Sequence, residues 1–421
     1  MVQLSKVLAI AAACLASPVV AHPGEKHDPH VIKREIHARD AMAAAAKRSL
    51  GGCESSLHAR ELHKRSVSRR AGTVNQLRQK RGITASKHIS HLKLTFSCIL
   101  KTHTHHLADP QKWRRNLAQL EEWEAIDHNK TDILNYSPAT PESIIFSANT
   151  SCILTPTVTD GPYYVWGEVI RKNVKEEKYS DGVDIFLEVQ YIDINTCRPV
   201  QGALVDIWNA NATGVYSGIS TTGNYAADGW DSTYLRGIQQ TNRDGVVEFE
   251  TIFPGHYDDR ATHTHLLTHL NATILPNKTL EVGTGSVAHI GQLFWNEVLR
   301  SAVEETYPYN TNTQSITSNE DDMWSVLQAD SSYDPFPEYI YLGDSLEDGL
   351  FAWIQIGLNA TADYTDNSYY SIAAYLEADG GHEVSDSAVG GGSASDGGNG
   401  TAPSGVASFG GSASPSAPTS A

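Results

Sequence analysis

Beyond its first 21 residues the chain contains no apolar run of about 18 residues, so no membrane span is expected. It also lacks a glycine-rich phosphate loop, a Gly-x-Ser-x-Gly elbow and any internal repeat. Their absence removes the usual signatures of nucleotide binding, α/β-hydrolase chemistry and solenoid architecture. Cations become scarce after residue 115, where 11 Lys/Arg face 42 Asp/Glu. A folded region so acidic offers no basic face to nucleic acid. Cysteine is sparse too, with five in 421 residues, one of them Cys14 near the start. The other four are Cys53, Cys98, Cys152 and Cys197, an even number that favours disulfides outside the cell. Sequence permits three pairings. Cys152 with Cys197 is the expected one, because both flank the start of the strand-rich region, and Cys53 with Cys98 then follows.

What is present divides the chain into four parts. Lys6, the apolar Val7 to Ala16 and the small residues Val19-Val20-Ala21 form a secretory signal over 1–21. Eight Asn-x-Ser/Thr sequons, at Asn129, Asn135, Asn149, Asn211, Asn271, Asn277, Asn359 and Asn399, suit a secreted glycoprotein, either released or held in a cell wall. Residues 22–148 form a basic arm; up to residue 115 it holds 20 Lys/Arg against 7 Asp/Glu. Its dibasic pairs, among them Lys64-Arg65, Arg69-Arg70 and Lys80-Arg81, fit a cleavable pro-segment. Helix formers over Ala41–Arg48 and Gln76–Arg81 fit a solvated helix equally well. Residues 88–112 carry five histidines and read either as a metal-binding tract or as a mispredicted exon. At the other end, 29 of residues 385–421 are Gly, Ser, Ala or Pro, too little apolar mass to fold.

Residues 149–384 make up the expected folded domain. Val183–Asp193 alternates with period two between turn-rich flanks and reads as a strand. Ala203–Asn209, Val246–Ile252, Thr262–Leu270, Val287–Trp295, Leu350–Leu358 and Tyr370–Leu376 read likewise, with Asp244-Gly245 as a hairpin turn. Helical pattern is confined to Trp295–Glu305 and Asp322–Ala329. The expected fold class is therefore all-β, an antiparallel β-sandwich with a few short helices.

The chemically loaded stretch runs from Pro254 to His265. Alternate side chains of a strand share a face, so His263 and His265 point the same way, joined by His269 if the strand continues that far. An isolated His-x-His is more often an ordinary polar strand, so the neighbours decide. Tyr257 and Arg260 lie in the turn feeding that strand, where Gly255 lets the backbone bend, and a Gly-containing loop upstream ends at Tyr216. Phenolate oxygen suits a hard, highly charged cation. Zinc would favour His, Cys or carboxylate, and no cysteine is near. A ferrous site built from two His and the carboxylate of Asp258 or Asp259 stays open.

Taken in order, Gly161-Pro-Tyr-Tyr164, Gly202-Ala-Leu-Val-Asp-Ile-Trp208, Gly214-Val-Tyr-Ser217, Leu235-Arg-Gly237, Pro254-Gly-His-Tyr257, Arg260, His263-Thr-His265 and Gln292-Leu-Phe294 resemble the intradiol ring-cleavage dioxygenases of the secreted fungal kind. The resemblance implies a non-haem Fe(III) held by Tyr216 and His265 as equatorial ligands, with Tyr257 and His263 axial. It implies a catechol-type substrate and O2 as reactants, with ring opening between the hydroxyl-bearing carbons to a muconate. It further implies that Tyr257 accepts a substrate proton, Arg260 stabilises carbanion character on the ring, Gln292 hydrogen-bonds at the site's edge, and Pro162 and Tyr163 line the pocket. Two departures bear on substrate preference: Asn209-Ala-Asn211 stands where relatives carry His and an acidic residue, and Thr264 replaces an apolar residue. The alternative from another class is a non-enzymatic binding or adhesion module of a cell wall, since a β-sandwich alone does not decide function.

Overall fold

A computed structural model describes residues 57–83, 110–131, 146, 153–154 and 158–384, apart from 222, 282, 330–332, 367–369 and 378. The expected signal, the first part of the arm, the His-rich stretch before residue 110 and the Gly/Ser-rich tail lie outside the described residues. Cys197 is disulfide-bonded; Cys53, Cys98 and Cys152 lie outside them too.

Nine strands build two main sheets. In chain order they are β1 (Ile153–Leu154), β2 (Asp184–Asp193), β3 (Leu204–Trp208), β4 (Arg236–Gln240), β5 (Val246–Ile252), β6 (His263–Leu270), β7 (Ser286–Phe294), β8 (Glu338–Tyr341) and β9 (Leu350–Leu358). One sheet runs β1-β9-β2-β5 with β8 also paired to β9, and the other runs β7-β6-β3-β4. The all-β sandwich thus holds, and its four-stranded sheet is antiparallel throughout. In the five-stranded sheet the central pair β9–β2 is parallel. A parallel partner needs a long crossover, and here most of the domain intervenes between the two strands.

Alternation decides which side chains meet between the sheets. Ile185, Leu187 and Val189 from one sheet and Val205, Ile207, Leu266 and Leu293 from the other are buried in one shared core. Among the described residues, four α-helices accompany the sheets: α1 (Leu57–Lys80), α2 (Pro110–Glu124), α3 (Glu297–Glu304) and α4 (Met323–Gln328). Asn296 caps α3 and Asp322 caps α4 through their side chains.

Both outer faces of the sandwich are covered as well. Over the five-stranded sheet lies α1, which buries Leu62, Ser66, Arg70, Val74 and Leu77 at helical spacing. Arg69 makes a two-pronged bond to Glu188 on β2, at 2.8 and 3.0 Å, and Arg70 adds a third at 2.7 Å. Arg65 reaches Asp244 at 3.1 Å and Arg81 pairs with Asp184. The arginines of three dibasic pairs are therefore engaged with the sandwich. Over the four-stranded sheet lies a second cluster, which includes Tyr164, Trp208, Tyr216, Tyr257 and Leu267.

Candidate active site

The outward face of β6 carries His263, His265, Leu267 and His269. Pairing lines up three of the notable residues across neighbouring strands, because Trp208 on β3 and Gln292 on β7 both stand opposite His265. Trp208 stacks flat on the His265 ring, centroids 4.6 Å apart and planes 6° from parallel, which fixes the imidazole plane.

Two loops bring the phenols to these imidazoles. Asn224 brackets the Tyr216 backbone, its Oδ1 accepting from Tyr216 N at 2.7 Å and its Nδ2 donating to Tyr216 O at 2.9 Å. Next door, Arg236 donates to the Ser217 carbonyl at 2.6 and 3.0 Å and to its hydroxyl at 2.9 Å. Asn211 Oδ1 accepts from Thr213 N and Val215 N, each at 3.0 Å, tightening the same loop. Tyr257 sits on a short turn bridged to Arg260, with Asp259 at φ 66°. Gly255 serves this turn by close approach rather than by bending, since a Cβ there would collide with the carbonyls of Asn211 and Ala212.

Four donor atoms converge. From His263 Nε2, the Tyr257 hydroxyl is 3.2 Å away, the Tyr216 hydroxyl 3.4 Å and His265 Nε2 3.0 Å. His263 Nδ1 lies 2.6 Å from the Ala261 carbonyl, to which it donates, so its Nε2 carries the lone pair toward the other three. Burial, then the Arg260 and Arg236 charges, hold the His265 imidazole well below its usual range, keeping it neutral. Burial pushes both phenols up. Two imidazoles and two buried phenols turned on one another are a donor set that fits a hard cation, whose charge would favour the phenolates.

Arg260 is fully buried and does not pair with Asp258 or Asp259. It donates to Asp322 Oδ2 at 2.8 Å and to Gln292 Oε1 at 2.5 Å. Gln292 is in turn anchored by its Nε2 on the Thr159 carbonyl at 2.9 Å. Asp258 and Asp259 are exposed, and Asp258 Oδ1 accepts from Ser315 N at 2.6 Å. Neither belongs to the donor cluster, which removes the two-His-one-carboxylate alternative. His269 shares the face of His263 but turns to Asp206 at 2.7 Å and Tyr164 at 3.1 Å. Tyr163 leans over Tyr216 with centroids 4.9 Å apart, and Pro162 precedes it in the short turn Gly161–Tyr163. Thr264 points to the opposite face of β6, away from the donors, and Asn209 is occupied by Thr251 and the Ala210 carbonyl.

Asp322, Arg236 and Asn224 are the residues that sequence reading does not single out. An Asp before a short helical pattern signals a cap, but nothing in the sequence ties it to Arg260. Arg236 lies inside Leu235-Arg-Gly237 without a spacing that reveals its hold on Ser217.

A family model described as Dioxygenase matches residues 159–273. Catechol 1,2-dioxygenase 1 of Acinetobacter lwoffii is 32% identical over 105 residues, which is 24% of this chain and 32% of that enzyme; the chain thus spans about a third of this curated relative. An intradiol ring-cleavage dioxygenase from Tetranychus urticae is 31% identical, with 50% of this chain and 97% of that chain covered, at a TM-score of 0.43. No helix among the described residues is long and apolar enough to cross a membrane.

Proposed function

We propose that the chain is an intradiol ring-cleavage dioxygenase, which binds a non-haem ferric ion and opens catechol-type rings between the two hydroxyl-bearing carbons. Both atoms of O2 would enter a muconate-type product. The observation that carries the proposal is the convergence of Tyr216, Tyr257, His263 and His265, with Arg260 and Gln292 at its edge.

Those four side chains would hold the ion. When bound, it would supply the charge that gathers both catechol oxygens and draws electron density out of the ring. The protein's own tasks follow from how each group is held. Tyr216 is bracketed by Asn224 and steadied through Ser217, so it is the fixed phenol. Tyr257, on its short turn, is the phenol free to swing out and take a catechol proton on its Oη. Arg260, oriented by Asp322 and Gln292, presents positive charge in a buried setting where negative charge develops on the ring. Trp208 and Tyr163 shield the donors from water and leave a flat aromatic substrate a matching wall.

The test is oxygen uptake by iron-loaded protein supplied with catechol, followed in the ultraviolet for muconate. One mole of O2 consumed per mole of muconate is the expected result; neither signal from protein that holds iron would overturn the reading and bring forward the wall-binding module. We place the enzyme outside the cell, on the strength of the signal-like start and the eight sequons. Amino-terminal sequencing and deglycosylation of material from a culture medium check that.

A further inference from the structure

Asp322 lies beyond the segment matched by the family model and some sixty residues downstream of the turn it serves. It is fully buried, at 0% exposure. Its two carboxylate oxygens do different work. Oδ1 caps α4, accepting from Trp324 N at 2.7 Å and Ser325 N at 3.1 Å. Oδ2 reaches back to the site turn, accepting from Arg260 Nε at 2.8 Å and Ala261 N at 2.8 Å.

A helix cap needs only one oxygen, which Ser, Thr or Asn supplies as well. The second oxygen is what Asp adds, and both of its bonds lead to the site. One fixes the guanidinium of Arg260 through its Nε, while Gln292 takes its Nη2. The other fixes the Ala261 amide; on the far side of that residue's Cα its carbonyl, in the next peptide unit, accepts from His263 Nδ1 at 2.6 Å and so sets which nitrogen of His263 faces the donor cluster. Trp324 and Met323 of α4 pack with Ala261 and with Phe294, whose ring lies 5.6 Å from that of His263, so the clamp is backed by a rigid apolar layer.

We propose that Asp322 is a positioning residue that holds Arg260 and His263 in register with each other through one carboxylate oxygen. The proposal rests on the roles assigned to those two residues above. A carboxylate so shared couples the metal side of the site to the substrate side: displacing it moves both at once.

Asp322→Ser keeps a cap acceptor for α4 and removes the reach of Oδ2; Asp322→Asn keeps the size and replaces an acceptor by a donor. Both are compared with the unaltered full chain, with folding checked by circular dichroism. The expected result is a fall in kcat of about 10- to 100-fold with little change in KM, together with faster loss of iron to a chelator. A second readout uses iron-free protein: the His263 Nδ1 proton, a sheltered downfield resonance in the unaltered chain, broadens or shifts in both variants. If Asp322→Ser folds with unaltered kcat, iron retention and His263 resonance, Asp322 is a cap only and the proposal fails. If the unaltered chain neither keeps iron nor opens catechol while the resonance still depends on Asp322, the proposed function fails and the clamp stands.

Discussion

The two outer faces of the sandwich differ in how the polar groups at their centres are answered. Over the five-stranded sheet, Arg69 and Arg70 are brought down onto Glu188, and Arg65 onto Asp244, so charge meets charge within the protein. Over the four-stranded sheet, two imidazoles and two phenols gather, with three of the donor atoms 3.0–3.4 Å from His263 Nε2. Burying polar groups is costly unless something answers them. On the helix side the chain supplies the answer itself. On the site side the arrangement makes sense when a cation joins the donors, which is why we read the first face as structural and the second as chemical.

That contrast can be broken most severely at the site. Tyr257→Phe removes one donor and the proton acceptor together; kcat/KM for catechol should fall by more than about 100-fold, exceeding what a supporting residue costs, while the urea midpoint stays near that of the unaltered chain. Glu188→Ala should do the reverse. It strands the buried Arg70 and takes from the half-buried Arg69 its two-pronged partner, and a loss of about 3–5 kcal/mol in urea unfolding is expected, with kcat per folded molecule unchanged at low urea. If Glu188→Ala instead silences the enzyme without destabilising it, the division of labour is wrong.

Acidity sharpens the comparison next. Although burial opposes it, Arg70 and Arg69 hold the Glu188 carboxyl below its usual range. Its contribution is complete above the ordinary carboxylate pKa and is lost as pH falls through the lowered value. Glu124, at the end of α2, is pushed up to about 7 by burial and by Glu297. Its contribution is greatest below the ordinary carboxylate pKa and is lost as pH rises toward 7. Urea midpoints measured across pH should therefore show acid weakening that Glu188→Gln removes, and a decline toward neutrality that Glu124→Gln removes. The smallest effect belongs to Arg65, whose side chain is 40% exposed. Arg65→Ala should cost less than about 1 kcal/mol in the same titration.

Alternation along the strands makes much of this molecule legible in its amino-acid sequence. The strand around His263 is readable because a period of two puts both histidines on one face, and β5 and β9 lie where the pattern places them. The parallel pairing of β9 with β2 is not readable, since strand patterns carry no information about distant partners. Nor is the cover over Phe186, Glu188 and Gln190. These alternate with inward residues of β2, and Glu188 and Gln190 are buried beneath α1. The helix itself runs well past the short helix-forming stretch at Gln76–Arg81, because its length is supported by ion pairs to the sheet rather than by propensity. At the site, the four residues that the resemblance implies as ligands are the ones whose donor atoms converge. Asp322 is not legible in the sequence, because its partner lies across the fold and only tertiary packing joins them.

The central claim is that the donor cluster exists to hold a ferric ion through two phenolates. It is tested most directly by the visible absorption spectrum of the full chain with iron quantified, before and after catechol is added. A tyrosinate-to-iron charge-transfer band at about one iron per chain, shifting when catechol binds, is the predicted result. A folded protein that takes up Fe(III) without colour, or refuses it altogether, would contradict the account.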